Sequence, residues 1–166
     1  GLATMNAIVD TSMFIIGGGP AEGDLRRLAE SLHIADRTIF TGRLDNLHIP
    51  LEAADLFCLP AATGPYGEEL PLALASGLAV IAADGSCYDG LVDGKNALLF
   101  PGGDDARLAQ SIGRLLTDRS LAQSIATAGQ ELARTNFSVA RMVAEHVRVY
   151  RELALRERTL PLSTSR

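Results

Sequence analysis

The chain has 166 residues, 47% of them hydrophobic, enough for one globular domain with a sizeable core. A net charge of −5 and the lack of any Lys/Arg cluster exclude the usual nucleic-acid partner. No apolar run reaches the ~20 residues of a membrane span, which leaves peripheral membrane contact open.

The first strand is read at "MFIIGGG" (13–19), an apolar run that ends in a glycine turn. "DLRRLAESL" (24–32) then sets Leu25, Leu28, Ala29 and Leu32 at helical spacing. "TIFTG" (38–42) is a second strand, and "NLHIPLEAAD" (46–55) a short helix interrupted by Pro50. "LFCLPA" (56–61) is a third strand, "LPLALAS" (70–76) a short helix, "AVIAAD" (79–84) a fourth strand and "ALLFP" (97–101) a fifth. From Asp104, a predicted N-cap, the pattern is helical. Leu108, Ala109, Ile112, Leu115 and Leu116 share the first helical face, Ile125, Ala128 and Leu132 the second, and Met142, Val143, Val147 and Tyr150 the third. Strands that alternate with helices predict an α/β domain: a mainly parallel sheet, right-handed crossovers, helices on both faces and a C-terminal helical extension. The domain is expected over residues 1–154, with a polar tail at 155–166.

Parallel sheets of this kind take ligands beyond the carboxyl ends of their strands. The first candidate there is Gly17, Gly18, Gly19 and Pro20, where backbone can approach a ligand at a helix start. A dinucleotide fingerprint needs a further glycine where Glu22 stands, and an acid where the second strand ends in Gly42 and Arg43. A nicotinamide cofactor is thus disfavoured, while a plain turn and a phosphate-approaching turn both stay open. The second candidate is Thr63, Gly64, Tyr66 and Gly67, followed by a helix with Pro71 in its first turn. Glu68 and Glu69 suit the positive helix start, with or without a ligand. His33 and His146 read as surface or interhelix residues, and His48, near the sheet edge, as a weak ligand candidate. Asp84 and Asp89 read as turn formers, so no metal site is expected. Cys58 reads as a core thiol; it and Cys87 make no metal-ligand or disulfide pattern, and a reducing cytoplasm is the expected compartment.

In order, "FIIGGGP" (14–20), "RTIFTGRL" (37–44), "LEAADLFCLPA" (51–61), "YGEELPLALASGLAVIAAD" (66–84), "LVDGKNALLFPGGD" (91–104) and a helix after "NFS" (136–138) resemble the C-terminal half of the group 1 (family 4) retaining glycosyltransferases. The resemblance spans about residues 8–153 and implies a Rossmann-like three-layer sandwich, one half of a GT-B fold. It implies a domain that binds a nucleoside-diphosphate-sugar donor as substrate, with no metal and no cofactor, while an N-terminal half of the same parent chain holds the acceptor. Carried over by position, Gly17, Gly18, Gly19 and the Phe40, Gly42, Arg43 turn would line base and ribose. Thr63, Gly64, Tyr66, Gly67, Glu68, Glu69 and Leu70 would face diphosphate and sugar, mainly through backbone N–H groups. The family's two glutamates, with seven residues between them, fall on Gly64 and Leu72 in this register. That leaves a second expectation, a degenerate relative that binds or assembles without catalysis. A nucleotide-sugar epimerase of the same fold is a weaker third.

Overall fold

The computed structural model describes residues 11–60, 67–85 and 90–159, and the backbone alone for 156–159. In chain order the elements are β1 (Met13–Ile16), α1 (Glu22–Ser31), a 3-10 turn (Ala35–Arg37), β2 (Thr38–Gly42), α2 (His48–Glu52), β3 (Leu56–Leu59), α3 (Glu69–Ala75), β4 (Ala79–Ala83), β5 (Leu98–Phe100), α4 (Asp105–Thr117), α5 (Arg119–Asn136) and α6 (Val139–Thr159). Every predicted strand and helix in this span is present, most within one or two residues of its expected ends. The last helix runs past the expected domain end at residue 154.

Local chemistry explains the boundaries. Pro50 and Pro71 are tolerated because each is the third residue of its helix, where no intrahelical N–H bond is lost. Asp104 caps α4 as predicted, its carboxylate accepting from the Arg107 N–H at 2.9 Å. Asp118 does the same for α5 through the Leu121 N–H, also at 2.9 Å. Both α1 and α3 end in the same left-handed turn. In α3 the Gly77 N–H donates to the Leu74 carbonyl and the Leu78 N–H to that of Ala73. In α1 the His33 N–H donates to Glu30 and the Ile34 N–H to Ala29. Gly77 takes φ 76° there and His33 takes φ 55°.

All strand pairings are parallel, but the expected single sheet is two: β1 with β2, and β3-β4-β5 with β4 in the middle. The core belongs to the second. Val80 and Ala82 of β4 pack with Leu51, Leu70, Ala73 and Leu74 of α2 and α3, and with Ala133 of α5. The alternate residues Ala79, Ile81 and Ala83 pack with Leu115 of α4 and Ile125 and Ala126 of α5. Helices therefore cover both faces of β3-β5, which gives the three layers.

The N-terminal sheet is not enclosed in this way. Of the four predicted apolar positions of its helix only Ala29 is buried; Leu25, Leu28 and Leu32 are exposed. Cys58 is likewise exposed on β3, a correction to its reading as a core thiol: among the described residues β3 has a neighbour on one side only. The apolar residues of α6, among them Met142, Val143, Val147 and Tyr150, are exposed as well. Its basic stretch is a solvated face, with Arg148 bridging Glu145 and Glu152 at 2.9 Å each. No described helix is long and apolar enough to cross a membrane.

Candidate functional site

The turns after β1 and β2 meet at the carboxyl edge of their sheet. The Gly17 N–H donates to the Gly42 carbonyl at 2.9 Å. The two glycines have φ 118° and 65°, backbone that a side chain would strain. A Cβ built on Gly17, Gly19 or Gly42 would meet no atom within 4 Å, so these backbones front open space. One residue earlier, β2 carries an irregularity: Ile15 pairs Phe40 and Ile16 pairs Gly42. The Thr41 left over fastens the two strands, its hydroxyl donating within 3.3 Å of Ile15 O and 2.9 Å of Gly42 O. The glycine turn then closes into α1 through Glu22 N–H to Gly19 O at 3.1 Å. No side chain caps α1.

Two side chains predicted for this region have different surroundings. Arg43 is exposed directly after β2 and has no ion-pair partner among the described residues. Phe40 is taken up by α1. The Arg26 guanidinium lies over its ring at 4.3 Å from the centroid and is held there by Glu22 at 2.8 Å. Arg26 was not foreseen from sequence, although its spacing of four residues from Glu22 on one helix was the available signal.

Beside β3, the predicted residues divide by burial. Thr63, Gly64 and Tyr66 lie outside the described residues. The Glu69 carboxylate folds back over the Gly67 backbone and would have to swing aside for a Cβ there. Glu68, the N-cap residue of α3, is exposed, as is Glu69, and Glu68 makes no side-chain cap. Leu70 is fully buried in the core, so it can offer a ligand only its backbone. Leu72 is half-buried against the same core cluster.

The turn residues behave as read. Asp84 accepts from the Gly85 N–H at 2.9 Å, while Asp89 lies outside the described residues. The His48 N–H donates to the Asn46 side-chain Oδ1 at 2.9 Å, and the His146 Nδ1 lies 2.8 Å from the Met142 backbone carbonyl. Among the described residues no three His, Cys, Asp or Glu side chains converge as a metal site. Asn96, not singled out from sequence, is buried: it accepts from the Val92 N–H at 2.8 Å and donates to the Gly90 carbonyl at 2.9 Å. It braces the loop that leads into β5.

Comparison with known proteins places this geometry. Residues 3–132 match the family model of the glycosyl transferases group 1. Over 164 residues the chain is 34% identical to D-inositol 3-phosphate glycosyltransferase of Salinispora tropica, covering 92% of this chain and 33% of that protein. It superposes on the C-terminal domain of the group 1 glycosyl transferase LpcC of Francisella tularensis with a TM-score of 0.72 at 24% identity, covering 83% of this chain and 75% of that one. For Anabaena HepE in complex with UDP-glucose the TM-score is 0.77 at 22% identity, with coverages of 89% and 43%. These two structural likenesses concern the fold. The chain spans 33% to 40% of the length of such curated relatives. The chain belongs to the glycosyl transferases group 1 and has the fold of one half of a GT-B enzyme.

Proposed function

We propose that the chain is the donor-binding half of a retaining glycosyltransferase, moving a sugar from a nucleoside-diphosphate-sugar to an acceptor held by an N-terminal half of the same parent polypeptide. The observation that carries this is the open edge at Gly17, Gly19 and Gly42, with Arg43 next to it, exposed and without an ion-pair partner among the described residues. A diphosphate leaving group needs positive potential and N–H donors that are already in place. Arg43 and the uncapped start of α1 supply both. The UDP-glucose held by HepE, of the same fold, supports a nucleotide-sugar. The donor is a substrate, and the chain's own groups need neither metal nor cofactor in this reading. Alone, the chain is inactive, because nothing in it orients an acceptor or keeps water from the donor.

Calorimetric titration with UDP, GDP and ADP tests the site. At least one binds in the millimolar range or tighter, and Arg43→Ala weakens that binding about tenfold, the loss of a charge-assisted contact. No heat with any of the three at millimolar concentration rejects a donor site.

One observation favours a second reading. Leu72, at a position where the family pattern carries glutamate, packs against the core cluster instead of presenting a carboxylate. A degenerate relative that binds or assembles without catalysis would have this residue. Joint replacement Gly64→Glu with Leu72→Glu separates the two. If nucleotide affinity arises only in that variant, with its circular dichroism unchanged, the natural protein is degenerate.

A further inference from the structure

We propose that the groove between β5 and α4 is a second ligand site, which binds a phosphate-bearing molecule through the Arg107 and Arg114 guanidinium groups. It is separate from the Gly17–Gly42 edge, which belongs to β1-β2, and takes its ligand whether or not that edge holds a nucleotide.

Three observations converge on the groove. First, it is a cavity of about 140 Å³, lined by Leu98 and Leu99 of β5 and by Arg107, Gln110, Ser111 and Arg114 of α4. A single water needs roughly 10–15 Å³, so a group of several non-hydrogen atoms fits. The four α4 residues stand at i, i+3, i+4 and i+7, one stripe of the helix. The neighbouring stripe, Leu108, Ile112 and Leu115, is the one that packs into the core.

Second, this polar stripe has no partner. Among the described residues none of its four side chains makes a hydrogen bond or an ion pair. By contrast, Arg26, Arg134 and Arg148 are each paired with a glutamate one turn away. The acids one turn from Arg107 and Arg114 are Asp104 and Asp118, and both are engaged as N-caps, at 2.9 Å each. The acid of the groove itself, Asp93, accepts from the Leu99 N–H at 2.8 Å. Each of these carboxylates thus answers a backbone N–H, and the wall is left with two cations against one anion.

Third, the donors select the ligand. Arg107 and Arg114 are separated by about 10 Å along the helix axis. Two guanidinium forks, the Gln110 amide and the Ser111 hydroxyl offer about six N–H or O–H donors over that span. A carboxylate has about four lone-pair sites, and one fork occupies its two oxygens. A phosphate brings three acceptor oxygens, and a diphosphate spreads more of them along a chain of atoms that both forks reach.

Phosphate arrives either on a free small molecule or on a lipid headgroup, and the test separates the two. The isotope-labelled chain is titrated with pyrophosphate and followed by NMR at the Arg107 and Arg114 Nε–H and the Gln110 side-chain amide. These signals shift with a Kd in the millimolar range or tighter, and sodium chloride at equal ionic strength leaves them in place. Both arginines are exposed, so Arg107→Ala with Arg114→Ala keeps the fold, which circular dichroism checks. That variant binds at least about tenfold more weakly; Arg107→Lys with Arg114→Lys, which keeps charge and loses the forks, loses less. With these shifts in hand, cosedimentation with phosphatidylglycerol vesicles but not phosphatidylcholine vesicles, lost in the alanine variant, identifies a lipid headgroup. No cosedimentation identifies a free phosphorylated molecule. The proposal is overturned if millimolar pyrophosphate moves none of these signals, if it moves only those of Gly17, Gly42 and Arg43, if chloride moves them equally, or if binding survives in the alanine variant.

Discussion

The two sheets of this molecule are built from similar strands and differ in what surrounds them. In β3-β4-β5 each face is covered, and the largest fully buried side chains of the described residues, Leu70, Leu74, Ile81, Ile125 and Val80, all belong to it or to the helices on it. In β1-β2 the strands pair correctly, yet Phe14 and Ile39 are 43% and 47% exposed. The difference teaches that enclosure decides burial, and that an apolar pattern only makes burial possible. The open sheet contributes Gly17, Gly42 and Arg43 to the edge where a nucleotide is proposed to bind.

Deleting one leucine from each region gives the largest contrast. Leu74→Ala removes a fully buried side chain at the junction of α3 and α5 and is expected to cost about 2–5 kcal/mol in urea unfolding. Leu28→Ala, on the 51% exposed stripe of α1, is expected to cost less than about 1 kcal/mol. Equal costs would mean that the open sheet is enclosed in solution.

A sharper probe of the enclosed half uses Gly129, on α5. A Cβ there would stand 2.8 Å from Leu74 Cδ2 and 3.4 Å from the Asn96 carbonyl. Gly129→Ala therefore overpacks the α3–α5 contact, at about 1–3 kcal/mol, in spite of the gain in helix propensity. The fault lies in one methyl group of Leu74. In a double-mutant cycle Leu74→Ala is expected to absorb most of that cost, a coupling of about 1 kcal/mol or more. Strict additivity would show that the helices approach less closely than described.

Elements were legible where the cause lay in adjacent residues. The cap at Asp104 and the helix begun near Pro71 rest on backbone chemistry within one turn, whereas Pro50, read as an interruption, stands in the first turn of α2. What the sequence did not reveal depends on residues distant along the chain. The exposure of Cys58 goes with β3 pairing on one side only among the described residues, and nothing in "LFCLPA" records that. The same holds within the site. The glycines were legible as turns, because a positive φ is a local demand. That Arg26 occupies Phe40, and that Leu70 points into the core while Glu69 folds over Gly67, depends on how α1 and α3 dock.

The smallest expected effect compares the matching helix ends. Gly77 and His33 occupy the same position of the same terminal turn, with the same pair of hydrogen bonds behind them. A left-handed residue with a Cβ costs about 1–2 kcal/mol relative to glycine. His33→Gly should therefore recover up to about 1 kcal/mol, less than the full strain because glycine also gains freedom in the unfolded chain. At Gly77 the reverse change is worse. Gly77→Ala brings the backbone strain together with a Cβ 2.8 Å from Gln130 Nε2, an amide now donating to the Ala75 carbonyl at 3.2 Å. It should destabilise by more than His33→Gly stabilises, which thermal melting of the two single variants resolves. If His33→Gly brings no gain while Gly77→Ala is costly, the α1 end is already frayed in solution. The asymmetry between the two sheets would then extend to secondary structure as well as to packing.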